Sequence, residues 1–146
     1  MSNNAYLEAL YSANQSVNPL FNFLGAKLVM AKDGKAVIEL PVSPRLAQGA
    51  GVVAGGILAT LADEAMAHAV LSILREGQST VTTEMNIRFL RATDPKKEGM
   101  LTASARMVKP GRSVMTTEAE IHDAAGRLLA TAGGSFFVIS DGVVKT

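Results

Sequence analysis

Cysteine and tryptophan are absent from this 146-residue chain, and histidine occurs only at His68 and His122. Without cysteine there is no disulfide, no thiolate nucleophile and no cysteine-ligated metal. Two histidines leave little from which to build an imidazole metal site. Charge is also sparse: Asp, Glu, Lys and Arg make up 18% of residues, against about 25% in an average globular domain. That deficit suggests that part of the surface is covered by other subunits. The net charge of +1 provides no field to gather nucleic acid or an anionic membrane. The opening Met-Ser-Asn-Asn-Ala-Tyr lacks the basic and then apolar segments of a signal peptide. Asp63 and Glu64 interrupt the longest apolar stretch, which therefore does not supply the ~18 uninterrupted apolar residues of a membrane span. The expectation is a cytoplasmic protein.

What the chain does have is apolar side chains, 48% of the total, enough for the core of one domain over residues 1–146. Residues 1–20 read as an N-terminal helical segment, with a helix over 5–15 stopped by Asn18-Pro19. Strands over 26–30 and 35–42 flank Asp33-Gly34, a two-residue hairpin signal. A long apolar helix follows from about 56 to 74, a rod of roughly 28 Å. Alternating segments at 80–90, 101–108, 113–122 and 128–139 then read as long strands in a meander. A helix apolar all round must be surrounded. A single antiparallel sheet curling around it gives an α+β domain; an open sheet with the helix on one face also fits the pattern.

Asp63 lies within that helix, in Gly51-Val-Val-Ala-Gly-Gly-Ile-Leu-Ala-Thr-Leu-Ala-Asp63. A carboxylate there is costly to bury unless something uses it. Gly55 and Gly56 stand at the start of the helix, where backbone N–H groups and the positive end of the dipole favour an anion or a developing oxyanion. An oxyanion site together with a carboxylate whose pKa burial lifts suits attack on an activated carbonyl. Glu64 is the rival carboxylate, about 100° further round the helix, and its spacing to His68 suits an ordinary i,i+4 pair. Lys109-Pro-Gly111-Arg112 is a basic turn that could be simply solvated or could contact phosphates. Arg88, Arg91, Lys96 and Lys97 are weaker candidates for that contact. Leu61, Met66, Met85 and Phe89 could line a pocket but read first as core or interface.

The stretch 48–63, followed by Val81-Thr-Thr-Glu-Met-Asn-Ile-Arg-Phe-Leu90, Val108-Lys-Pro-Gly-Arg112 and the Asp123–Ala132 segment, resembles the hotdog-fold acyl-CoA thioesterases. The nearest branch is the phenylacetate-degradation, PaaI-like one. The resemblance implies a hotdog fold: a curved antiparallel sheet wrapped around one long central helix. It implies acyl-CoA as substrate and no separate cofactor, coenzyme A being part of the substrate. It also implies a homodimer joined edge to edge through its sheets, paired again into a tetramer, with active sites at the subunit interface. Asp63 would then be general base or nucleophile, the Gly55 N–H would polarise the thioester carbonyl, and Thr82 would help hold the attacking water.

Two positions depart from the family pattern, which has His-Gly-Gly where this chain has Ala54-Gly55-Gly56 and Asn where it has Gln48. Loss of the imidazole removes a donor near the thioester and leaves the Gly55 N–H; one oxyanion donor is worth about 10²–10³ in rate. Two alternatives stay open: a non-catalytic acyl-CoA-binding protein of the same fold, and an acyl-thioester hydratase or dehydratase. Against the latter, neither histidine falls at a matching position.

Overall fold

The computed structural model describes residues 1–12 and 15–140. Helix α1 (Asn3–Tyr11), a 3₁₀ turn (Gln15–Val17) and helix α2 (Pro19–Leu24) lead into strands β1 (Lys27–Lys32) and β2 (Lys35–Pro41). A second 3₁₀ turn (Pro44–Leu46) precedes helix α3 (Gly55–Leu71). Strands β3 (Gln78–Phe89), β4 (Met100–Lys109), β5 (Val114–His122) and β6 (Leu128–Ser140) complete the described residues. The six strands form one antiparallel sheet in the order β1-β2-β4-β5-β6-β3.

The β1–β2 hairpin turns on Asp33 and Gly34 at φ 51° and 75°, the left-handed pair that a two-residue hairpin requires. Asn18-Pro19 does not end the helical segment; it begins α2. The Asn18 side chain accepts the Leu20 and Phe21 N–H groups, and proline at the first helical position loses no bond it would otherwise make. Helix α3 stops at Leu71, short of the expected 74. There the Ser72 hydroxyl donates to the Ala69 carbonyl and accepts the Gly34 N–H, tying the hairpin tip to the helix end.

The expected meander holds only for β4–β5–β6. Strand β3 lies outside β6, and β2 takes the place beside β4. The β2–β4 register sets Ala36, Ile38 and Leu40 beside Ala105, Ala103 and Leu101, all buried, so one apolar face continues across both strands. Period-two alternation assigns a residue to a face but does not choose a strand's neighbour.

Helix α3 is packed against β1 through β6 and buries Leu58, Leu61, Ala62, Ala65, Met66, His68, Ala69 and Val70. Alanines at 62, 65 and 69 let the sheet close in. On β6, Gly134 completes the fit: a Cβ there would stand 3.2 Å from Met66 Cε and 3.1 Å from the Phe136 ring. The two sheet edges differ. The Tyr11 hydroxyl donates to the Ala31 carbonyl and accepts the Ala31 N–H, blunting β1. Among the described residues the outer edge of β3 has no strand beside it, and an unpaired edge of this length is a template for another strand.

Candidate active site

Asp63 and Glu64 are consecutive in α3 and face different neighbours, as their 100° separation requires. Asp63, half-buried, accepts the Thr82 hydroxyl at 2.7 Å from Oγ1 to Oδ1. Thr82 is exposed on β3 beside a register shift between Thr82 and Glu84, a place where a bulge re-aims side chains. The resemblance had placed both residues at one site, and the fold sets their side chains in direct contact. The second carboxylate oxygen of Asp63, without a partner among the described residues, and the hydroxyl oxygen of Thr82 can take the two hydrogens of a water.

Asp63 and Glu64 are both part-buried, the Glu64 side chain keeping 23% of its surface exposed. Burial pushes the Glu64 carboxyl up to about 6, an effect that the Asn18 amide opposes and the Asp63 charge reinforces. Glu64 belongs to a polar cluster beneath the N-terminal segment. The His68 Nδ1–H donates to the Glu64 carbonyl at 2.7 Å, so Nε2 is left to accept the Tyr6 hydroxyl at 3.1 Å. The Tyr6 oxygen in turn accepts the Asn18 amide at 2.9 Å, and the same amide lies 3.4 Å from Glu64 Oε2. This chain of bonds suits a neutral imidazole. Burial holds His68 down at about 4 despite the backbone carbonyl, and its ring lies against those of Tyr6 and Phe21. The Glu64–His68 pair is thus structural, as its spacing suggested. Tyr6 and Asn18 had given no sequence signal beyond the asparagine before proline.

At the start of α3, Ala54 is an N-cap with no side-chain acceptor. Its carbonyl receives the Ile57 and Leu58 N–H groups, while the Gly55 and Gly56 N–H groups have no acceptor among the described residues. Such unpaired donors at a helix N-terminus suit a partly negative oxygen. Gly55 opens on a cavity of about 320 Å³ shared with Gln48, Val52, Leu58, Phe89 and Arg91. Gln48 itself is spent on the loop: its side-chain oxygen accepts the Ala50 N–H and its carbonyl the Gly51 N–H. Gly56 is exposed, with open space where a Cβ would stand. From position 55 to position 63 the helix rises about 12 Å, so one carbonyl cannot reach the Gly55 N–H and the Asp63 carboxylate of a single chain.

At the opposite end of α3, Gly111 and Arg112 line a cavity of about 520 Å³ together with Arg75, Gln78, Ser113 and Ser140. Neither arginine is in an ion pair among the described residues. Gly111 is required by the turn: a Cβ there would fall within 2.1 Å of the Val114 carbonyl oxygen. Lys109 is exposed on β4 and does not line this cavity. Nothing local in the sequence connects Arg75 with residue 112. Leu61 and Met66 are fully buried core, and Phe89 is exposed. Among the described residues no three His, Asp or Glu side chains gather as a metal site, and no helix is long and apolar enough to cross a membrane.

Residues 50–130 match the family model described as the thioesterase superfamily. A protein of Saccharolobus solfataricus that carries an esterase name is 29% identical over 133 residues, 91% of this chain and 92% of its own length. Human acyl-coenzyme A thioesterase 13 is 31% identical over 105 residues, 70% of this chain and 72% of its own. A variant structure of the phenylacetic acid degradation protein PaaI from Thermus thermophilus superposes with a TM-score of 0.74 at 26% identity, covering 82% of this chain and 98% of that one.

Proposed function

This chain belongs to the thioesterase superfamily and is a thioester hydrolase of the PaaI-like hotdog type, and we propose that its substrate is an aryl- or medium-chain acyl-CoA cleaved to free acid and coenzyme A. The observation that carries this reading is the 2.7 Å bond from Thr82 to Asp63. In the proposed reaction a water held by Thr82 and Asp63 attacks the thioester carbon while Asp63 takes its proton. The Gly55 N–H receives the oxyanion of the tetrahedral intermediate. Collapse expels the coenzyme A thiolate, which needs little acid help because a thiol's pKa is about 8.5. Direct attack by Asp63 through a mixed anhydride uses the same groups and ends in the same products.

The ~12 Å between Gly55 and Asp63 supports a site built from two copies. Pairing β3 with β3 of a second chain, antiparallel about a two-fold axis near Met85 and Asn86, would set the Gly55–Phe89 end of one copy against the Thr82–Asp63 pair of the other. The unpaired β3 edge supports that homodimer; a further pairing would give the tetramer. A cytoplasmic location accords with this reading. Arg112 and Arg75 are proposed to take the phosphates of coenzyme A. Along α3 from Asp63 to Leu71, and along β3 from Thr82 to Gln78, the cavity they line is about 12–13 Å from the reacting pair. A pantetheine arm, peptide-like through most of its length, spans roughly 15 Å when extended.

The test is thiol release from a panel of aromatic and aliphatic acyl-CoAs by the wild type and by Asp63→Asn. The variant should lose at least about 100-fold in kcat and keep the oligomeric state. Full activity in a folded Asp63→Asn protein would refute the role of Asp63. Ala54, which offers no side-chain donor, favours the non-catalytic binder as second reading. Tight acyl-CoA binding by a wild type that releases no thiol would establish that reading instead.

A further inference from the structure

Phe89 closes β3 with 52% of its surface exposed, yet one edge of its ring is engaged. Atoms Cζ, Cε1 and Cε2 lie 3.1, 3.3 and 3.5 Å from the point where a Cβ on Gly55 would stand. The ring therefore occupies the space that the absent Gly55 side chain leaves. The rest of it lines the cavity at the start of α3, where Val52, Val53, Leu58, Leu90 and Ala92 supply further apolar surface.

An oxygen bonded to the Gly55 N–H sits about 2.9 Å from that nitrogen, and the nitrogen and the Cβ position belong to the same Cα. A thioester carbonyl held there would lie in the cavity that Gly55 and Phe89 both line, with its α-carbon within reach of the Phe89 ring. A trigonal α-carbon in a flat, conjugated acyl group can lie along the ring, where offset aromatic contact is favourable. A tetrahedral, branched α-carbon directs a substituent into the ring.

We propose that Phe89 selects the acyl group, favouring flat aroyl and conjugated acyl thioesters over those branched at a saturated α-carbon. This rests on the Gly55 N–H being the carbonyl site. Benzoyl-CoA and cyclohexanecarbonyl-CoA make the probe pair, since they share coenzyme A and a six-membered ring and differ in flatness and in the α-carbon. kcat/KM is measured for both with the wild type, Phe89→Ala and Phe89→Leu. Binding of both is measured by calorimetry with each change placed on Asp63→Asn. Comparing the benzoyl-to-cyclohexanecarbonyl ratio between variants cancels the intrinsic reactivity of the two thioesters.

The ratio should favour benzoyl in the wild type and fall roughly 3–10-fold in Phe89→Ala. Phe89→Leu, which keeps bulk and loses the aromatic face, should fall between them. A ratio unchanged in folded Phe89→Ala, by turnover and by binding, overturns the proposal. If the wild type turns over neither thioester but binds them with a Phe89-dependent ratio, hydrolysis fails as the reading and the role of Phe89 stands.

Discussion

Replacing Glu64 by Gln should stabilise the protein at neutral pH and steepen its loss of stability in acid. The Glu64 carboxyl is raised from 4.5 to about 6. That displacement of about 1.5 units corresponds to about 2 kcal/mol by which the folded state disfavours the ionised form. Above pH 6 the group is ionised in both states and the cost is present in full. As pH falls from 6 to 4.5 the folded state takes up the proton first, and the cost disappears. His68 runs the other way. Its folded value is lowered from 6.5 to about 4, so below pH 6.5 the unfolded chain is protonated first and about 3 kcal/mol of stability is lost by pH 4. In the wild type the Glu64 gain offsets much of the His68 loss over the same window. Tyr6 and Asn18 pack on the pair from the N-terminal segment and Asp63 adds its charge from α3; all three are kept in the variant. Glu64→Gln should therefore be about 1–2 kcal/mol more stable at pH 7, with the advantage gone by pH 4.5. Urea unfolding at fixed protein concentration between pH 7 and 4.5 measures the difference, in which the other carboxylates cancel. A variant less stable at pH 7, or one whose difference from the wild type does not change with pH, would refute the reasoning.

Thr82→Val keeps the shape of the side chain and deletes the hydroxyl bonded to Asp63; kcat should fall roughly 10–100-fold with KM little changed, as steady-state kinetics will show. Gly55→Ala makes the Phe89 ring give by a few tenths of an ångström and should lower kcat/KM, whereas Gly56→Ala meets open space and should fold and turn over almost normally. Equal losses in the two variants would argue against a special role for position 55. Reversing charge at Arg75 or Arg112 should raise KM for an acyl-CoA, and leave it unchanged for the same acyl group on N-acetylcysteamine. Equal effects on both substrates would remove the nucleotide phosphates from that cavity.

The fold was legible where one local rule decided the outcome. Asp33-Gly34 carried its turn because the two positive φ angles need those residue types. The apolar helix announced that it would be surrounded, since it offered no polar face to solvent. The strand order was not legible. Alternation in β3 and β4 is equally consistent with their being neighbours, and only the apolar matching of β2 with β4 in three dimensions separates β3 from them. Asn18-Pro19 misled for a related reason, because the same dipeptide that closes one helix can cap the next, and its asparagine side chain makes the choice.

At the site, the resemblance named residues and the structure supplied distances. Asp63 and Thr82 could be paired only by a motif known from other chains, since their bond spans the turn from α3 into β3. The surroundings of Glu64 were not legible because the helical pattern alone does not reveal that Tyr6 and Asn18 of the N-terminal segment fold back over its face. Positions 55 and 63 lie about 12 Å apart along α3 of one chain, so cooperation between the proposed oxyanion donor and the proposed base requires the proposed pairing of two copies. The β3 edge, unpaired among the described residues, makes the proposed pairing testable. A substitution that blocks the edge without touching Asp63, Thr82 or Gly55 should reduce turnover in parallel with dimer content.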